Sequence, residues 1–323
     1  MTDRPLRFAQ ADSREDFQTR IAWYYYVGNM TQQEIADLLG TSRNRVNREL
    51  SACRENGIIR ISITRPVGAC VAAEEALKDQ FGLDNAIVVP TPRRPEDLRA
   101  AIGFGAAGYL EPRIHDGMKI GVGWGRTTRS IVHSLTPRPL RNIQIISVLG
   151  GLSHCSRINT FEIVSDFADL FDADRHFFAA PIYASTEEAR DVLLAQDAIR
   201  ETHELAKTVD IAIVTTGDLS DSLIIEYGMT PKEVVELDRA GAVGDVLGQF
   251  VDSRGQLVDH PINRRAVALA INDLKAIPSV MLASGGASKI RVMRALLGAG
   301  LINVLATDEA TAEALLAAET TGR

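Results

Sequence analysis

The chain has 323 residues, a formal net charge of −7, 46% hydrophobic residues and 24% charged residues. That length favours two domains, because single cores stop growing at roughly 250–300 residues. No run reaches the ~18 consecutive apolar residues that span a bilayer. The opening Met1-Thr-Asp-Arg-Pro5 lacks the apolar core of a signal peptide. Cys53, Cys70 and Cys155 stand far apart with no C-x-x-C spacing, which argues against a disulfide framework or a zinc site. A cytoplasmic chain with no membrane partner, no metal and no cofactor is expected.

The charge is uneven. Residues 1–65 hold ten arginines against eight acidic residues, a balance of +2, and the remainder carries −9. A mildly basic head on an acidic body suits a nucleic-acid reader attached to a sensor.

Phe17 to Val27 is apolar and aromatic and stops at Gly28-Asn29, which predicts a helix with a Gly/Asn end. Thr31-Gln-Gln-Glu34 is a capping box opening a helix that carries Ile35, Ala36, Leu38 and Leu39 and ends at Gly40. Thr41-Ser42 caps a further helix, Arg43 to Asn56, closed by Gly57. Two short capped helices joined through a glycine make a helix-turn-helix. Ile35, Leu39, Val46 and Leu50 fill its inner faces. Thr41 stands where such units often carry an aliphatic residue.

The second helix presents Arg43, Asn44, Arg45, Asn47 and Arg48 near its N-terminus. Those residue types make bidentate contacts to guanine and adenine in the major groove. Thr31, Gln32 and Ser42, at the two helix starts, suit phosphate contacts. An αα-hairpin with a solvated basic face, or a hairpin used for protein contacts, carries the same residues. Ile58 to Ile63 alternates like a strand and fits either a wing or a β-connection.

The body, 66–323, alternates short apolar runs with helical stretches. Ala72–Phe81 predicts a helix and Ile87–Val89 a short strand. Further strands are expected at 119–122, 144–149, 176–179, 211–215, 280–283 and 302–306, and helices at 126–134, 161–171, 287–297 and 309–318. Such alternation implies an α/β layer structure around a mostly parallel sheet. Glycines gather after four of the strands: Gly121-Val-Gly123-Trp124-Gly125 before Arg126-Thr127-Thr128; Gly150-Gly151 before Ser153-His154; Thr215-Thr216-Gly217-Asp218; and Ser284-Gly285-Gly286-Ala287-Ser288-Lys289. Ligand crevices in open α/β sheets lie at the C-terminal strand ends, where glycines let amides approach an oxygen or anion closely. Lys289 is the only lysine in the four turns. There is no G-x-G-x-x-G register and no G-x-x-x-x-G-K-[ST], so neither a dinucleotide nor a nucleoside triphosphate is indicated.

Ala22-Trp-Tyr-Tyr-Tyr-Val27, Thr31-Gln-Gln-Glu-Ile-Ala36, Ser42-Arg43 and Gly57-Ile-Ile-Arg-Ile61 together resemble the start of SorC/DeoR-type sugar-binding transcriptional regulators. Gly121-Val-Gly-Trp-Gly-Arg-Thr127, Gly150-Gly151, Gly244-Asp245-Val-Leu-Gly248, Gly285-Gly286-x-x-Lys289 and Ile302-Asn-Val-Leu-x-Thr307-Asp308-Glu309 resemble that family's effector domain. The resemblance runs from about residue 20 to 316. It implies a helix-turn-helix (winged-helix-like) domain over 1–65, and over 66–323 an effector and oligomerisation domain related in fold to sugar-phosphate isomerases, deaminases and CoA transferases. It also implies a homo-oligomer, dimer or tetramer, that binds operator DNA and answers to a sugar, polyol or sugar phosphate.

By the resemblance, Gly123, Gly125, Thr127 and Thr128 hold a phosphate or its equivalent, and Asp245 and Lys289 bind hydroxyls and anionic oxygens. Trp124, Arg126, Gly150, Gly151, Gly217, Asp218, Gly285 and Gly286 complete the expected site, with His154, Arg157 and Asn159 as selectivity residues. Leu149 stands where some members carry a carbonyl-engaging lysine, so no imine is expected there. The alternative is a sugar-phosphate isomerase or deaminase with an appended helix-turn-helix, in which Asp218 and Asp245 serve as acid and base.

Overall fold

Capping decides where the first helices begin. In a computed structural model, which describes residues 13–59, 68–152, 159–220 and 222–317, α1 spans Arg14–Tyr26, α2 Gln32–Leu38 and α3 Arg43–Glu55. Thr31 and Glu34 form the capping box read from the sequence, with the Thr31 amide donating to Glu34 at 2.7 Å. Ser42 caps α3 by accepting from the Arg45 amide at 3.2 Å. A second box, Ser13 with Asp16, opens α1 three residues before the expected start. Ile21, Ile35, Ala36, Val46 and Leu50 form one small core, and Leu39 packs at its edge. Beneath it Gln18 Nε2 donates to the buried Glu49 carboxylate at 2.8 Å, locking α1 to α3.

The chain divides into two units, 1–64 and 65–323. The boundary expected at 65/66 and the strand expected over 58–63 run into residues 60–67, outside the described residues. Ile58 and Ile59 are folded back, both amides donating to the Cys53 carbonyl at 2.9 and 3.2 Å.

The second unit runs α4 (Gly68–Phe81), β1 (Asn85–Val89), α5 (Leu98–Leu110), β2 (Lys119–Val122), α6 (Arg126–Ser134), β3 (Gln144–Ser147), α7 (Thr160–Phe171) and β4 (Asp174–His176). It continues through α8 (Glu187–Ala195), α9 (Asp197–Ala206), β5 (Ile211–Val214), β6 (Thr216–Gly217), α10 (Leu223–Gly228), α11 (Pro231–Arg239), β7 (Gly244–Val246) and β8 (Gln249–Val251). It closes with α12 (Pro261–Arg265), β9 (Ser279–Ala283), α13 (Ile290–Gly298), β10 (Val304–Asp308) and α14 (Glu309–Ala317).

Among the described residues seven strands form a parallel sheet in the order β1-β10-β9-β5-β2-β3-β4. All four residues of β5 and all five of β10 are buried. Since successive side chains point to opposite faces, both faces of the sheet are covered at its middle. From β2 the chain steps through β3 and β4 in one direction. From β5 it steps through β9 and β10 in the other. The order therefore reverses between β2 and β5, and a crevice opens at such a point, beyond the C-terminal strand ends.

Three expectations shift. The strand placed at 176–179 is 174–176: Asp174 and Arg175 are exposed on an edge strand, and the apolar residues that suggested a strand, such as buried Phe178, lie just beyond it. The strand expected at 302–306 runs to Asp308, because Thr307 and Asp308 continue the pairing with Val88 and Val89. The strand expected to reach Leu149 ends at Ser147, and Leu149 makes a single bridge to Ala268. The antiparallel β6-β7-β8 sheet was not foreseen at all.

Candidate functional site

The turn after β2 is stitched to β5 across the reversal point. The Gly123 amide donates to the Ile213 carbonyl at 2.8 Å, and the Thr215 hydroxyl donates to the Trp124 carbonyl at 3.0 Å. Gly125 has φ +140°, and a Cβ there would lie 2.7 Å from Thr215 Oγ1, so only glycine fits. Gly125 is also the N-cap of α6, whose first amides, Arg126 to Thr128, have no acceptor within the helix. A cleft of about 570 Å³, open mouth included, lies over this turn. Gly123 to Thr127 form one wall and Thr215 to Gly217 another, with Asp245 and Leu247 entering from the β7–β8 hairpin. Arg99 of α5, Lys289, and Ser222 and Ile224 at the start of α10 complete the lining.

The polar groups are of complementary kinds. Asp245 is 5% exposed, and its Oδ1 accepts from the Ser222 hydroxyl at 2.8 Å. Burial pushes its carboxyl up to about 6, against the opposing pull of the Ser222 hydroxyl, the Gly248 amide and the Lys289 charge, while the charge of Asp218 adds to the rise. Facing this acceptor are the cations Arg99, Arg126 and Lys289 and the N-terminus of α6. Arg126 is held by Glu226 at 2.9 Å. Such a cleft takes hydroxyls on the carboxylate and anionic oxygens on the cations and helix amides.

Of the residues expected from sequence, Gly123, Trp124, Gly125, Arg126, Thr127, Gly217, Asp245 and Lys289 come together here. Asp218 does not line the cleft. Its Oδ2 accepts from Ser288 Oγ and its Oδ1 from the Ser220 amide, both at 2.6 Å, so it braces the turn after β5 against the turn after β9. Gly285 and Gly286 shape the turn that delivers Lys289, with the Gly286 amide on Thr311 Oγ1 at 2.9 Å. Thr128 is fully buried and its hydroxyl faces the interior. Gly150 and Gly151 lie elsewhere: the Gly151 amide donates to the Ala180 carbonyl at 2.9 Å, and the backbone of Pro181 leaves no room for a Cβ at Gly150. Asn159 spends its amide on the Leu152 backbone, at 2.8 and 3.2 Å. Three of the four glycine turns thus meet, and the fourth serves packing. His154 and Arg157 fall outside the described residues. Among the described residues no cluster of metal-ligating side chains forms, and no helix is long and apolar enough to cross a membrane.

In the first unit, Ser42, Arg43, Asn44, Arg45, Asn47 and Arg48 are all exposed, as is Thr31, and Gln32 is half-buried. Gln32 Nε2 donates to Asn47 Oδ1 at 3.3 Å, tying the start of α2 to the outer face of α3. Asn44, Asn47 and Arg48 share one face by their spacing of three and four. The Arg45 guanidinium lies 5.0 Å over the Phe17 ring.

Residues 65–317 match the family described as "Putative sugar-binding domain", and residues 14–79 match the Crp-like helix-turn-helix domain. The chain belongs to the SorC/DeoR-type family of sugar-binding transcriptional regulators. It is 30% identical to the erythritol catabolism regulatory protein EryD of Brucella abortus, covering 95% of this chain and 98% of that protein. It is 29% identical to the deoxyribonucleoside regulator of Bacillus subtilis, over 94% and 98%. The crystal structure of the full-length sorbitol operon regulator SorC from Klebsiella pneumoniae superposes with a TM-score of 0.72 at 27% identity, covering 94% of this chain and 99% of that one.

Reading this SorC/DeoR-type regulator from sequence missed Arg99, Ser222, Ile224 and Leu247 as cleft residues. Arg99 sits on a helix two elements before the turn it faces, with no local signal. Leu247 lay inside the quoted Gly244–Gly248 motif, where its positive φ of +53° was invisible.

Proposed function

We propose that this chain is a cytoplasmic, homo-oligomeric operator-binding regulator, not an enzyme, in which a sugar, polyol or sugar phosphate in the β2/β5 cleft sets the affinity for DNA. Residues 1–65 read the operator and residues 66–323 bind the effector and join the protomers. The observation that carries this reading is the pairing of one buried acceptor, Asp245, with the donors Arg99, Arg126, Lys289 and the α6 amides in one cleft. A polyhydroxylated molecule with or without an anionic end satisfies both sets. The names of the relatives, which concern erythritol, sorbitol and deoxyribonucleosides, support the same chemical class.

The alternative is isomerase-type catalysis, favoured by one observation: a carboxyl near 6 lies in the range of a general base. The engagement of Asp218 by Ser220 and Ser288 weighs against an Asp218–Asp245 acid–base pair.

Thermal-shift measurements against polyols, pentoses, hexoses and their phosphates are expected to single out one class. At a hundredfold excess over Kd the gain is about 2.7 kcal/mol. The same compound is expected to change a gel shift on DNA upstream of the chain's own operon, with binding that weakens steeply in salt. Turnover of a sugar phosphate at ordinary enzyme rates overturns the sensor reading.

A further inference from the structure

The cleft carboxylate is held from behind by a residue that does not line the cleft. Asp245 leads into a two-residue hairpin turn, Leu247-Gly248, with φ +53° and +73°, between β7 and β8. Two successive positive φ values suit the tight turn that joins twisted antiparallel strands, but they strain the leucine. Such a turn keeps its shape only if its surroundings over-determine it.

The surroundings are specific. The Gly248 amide donates to Asp245, and the Gly248 carbonyl accepts from the Tyr183 hydroxyl at 2.6 Å. One glycine therefore carries the carboxylate on its amide and the phenol on its carbonyl, in the two peptide units that meet at its Cα. Tyr183 is itself fixed by its neighbours. The Ile182 amide donates to the Gly151 carbonyl and the Val267 amide to the Ile182 carbonyl, both at 2.8 Å, and the Ala184 amide donates to Arg265 at 2.9 Å. A Cβ on Gly248 would lie 2.8 Å from Ile182 Cδ1, so the platform touches the turn directly. The phenol stays a donor at ordinary pH, since burial and then the Asp245 charge hold it well above its usual range.

We infer that Tyr183 is a positioning residue for the effector cleft: by holding the carbonyl of Gly248 it fixes the turn whose Gly248 amide is aimed at Asp245. This also gives the Gly150-Gly151 turn a role outside the cleft, as the rear support of the tyrosine segment. The inference rests on the proposed reading only for the meaning of Asp245 as an effector ligand. Its geometry is testable with no effector present.

The charged and titratable groups around this unit are Asp218, Lys289, Arg99 and Arg126 on the cleft side, and Arg265, Glu233 and Tyr183 behind it. Arg265 and Glu233 pair with each other at 3.0 Å. In the unliganded full chain, melting temperature is measured against pH for the wild type and Asp245→Asn, and the difference reports the carboxyl. The difference is expected to grow above about pH 4 and to level off near 6. In the Tyr183→Phe background the levelling-off point is expected about one unit higher, because a charge-assisted hydrogen bond to the ionised form is weakened. A melting temperature lowered equally at every pH, with the levelling-off point unmoved, overturns the inference.

If Asp245→Asn does not fold, hydrogen exchange decides. Residues 244–250 are expected to exchange at least several-fold faster in Tyr183→Phe, while 211–214 stay protected. Equal exchange over 244–250 in both proteins overturns the inference.

Discussion

The hydroxyl of Thr215 donates to the carbonyl of Trp124 at 3.0 Å, bridging the point where the sheet order reverses. Two turns at the C-terminal ends of neighbouring parallel strands, β2 and β5, are thereby joined. This bond ties the floor of the cleft together, and Gly125 leaves room for it.

Gly125→Ala is expected to break that floor. The new Cβ meets Thr215 Oγ1, and the backbone at φ +140° is strained for alanine. The cost is about 1–3 kcal/mol of stability, read by denaturant unfolding, together with loss of the effector's thermal shift. Thr215→Val removes one hydrogen bond without the clash and should cost only about 0.5–1.5 kcal/mol.

The effect of Asp245→Asn should grow with pH. The buried carboxyl is raised from 3.8 to about 6, so it favours the folded state when protonated. That contribution is fully present below about 4 and lost as pH rises through about 6. The asparagine variant is therefore expected to match the wild type near pH 4 and to exceed it by roughly 3 kcal/mol above pH 7, while losing effector affinity. A variant less stable than the wild type at pH 8 contradicts the burial argument.

Leu247 offers an inverted comparison. Truncating a buried leucine usually leaves the alanine variant more stable than the glycine variant, but here φ is +53°. Leu247→Gly is expected to be more stable than Leu247→Ala by about 1 kcal/mol, the left-handed cost that glycine escapes. Both variants open the wall above Gly123, so each should accept bulkier compounds in the thermal-shift panel.

In the first unit, Asn47→Ala is expected to relax base preference at one operator position by about 1–3 kcal/mol. Arg43→Ala, if it meets phosphate, weakens binding evenly across sequences and lowers the salt slope by about 1. Arg45→Ala should also cost some stability, since its guanidinium packs over Phe17. Competition gel shifts with mutated operators at several salt concentrations separate these outcomes.

The elements legible in the sequence were those with local causes. Thr31 with Glu34 and Ser42 with Arg45 placed two helix starts to the residue, and Lys119–Val122 was read as the strand it is. Glycines after strands pointed to the cleft, and three of the four turns meet there. Gly150 and Gly151 look the same in sequence, but the 180–181 backbone crowds Gly150 and the Phe161 and Asn159 side chains crowd Gly151, causes that lie further along the chain. Arg99 and Tyr183 were missed for the same reason: nothing beside Arg99 announces the cleft it lines with the 123–127 turn, and nothing beside Tyr183 announces Gly248, 65 residues away. Edge strand 174–176 escaped because it carries charge where a buried strand carries valine or isoleucine.

That charged margin has a consequence of its own. Asp174 and Arg175 project into water from a strand only three residues long, and Arg175 is clasped by Asp169 at 2.7 Å. A foreign strand arriving at this border finds too short a ladder to zip onto, with salt-bridged side chains in the way. Copies of the chain that meet at this border are thereby steered away from sheet extension and its open-ended fibres, toward contacts through helices and turns, which can close on themselves.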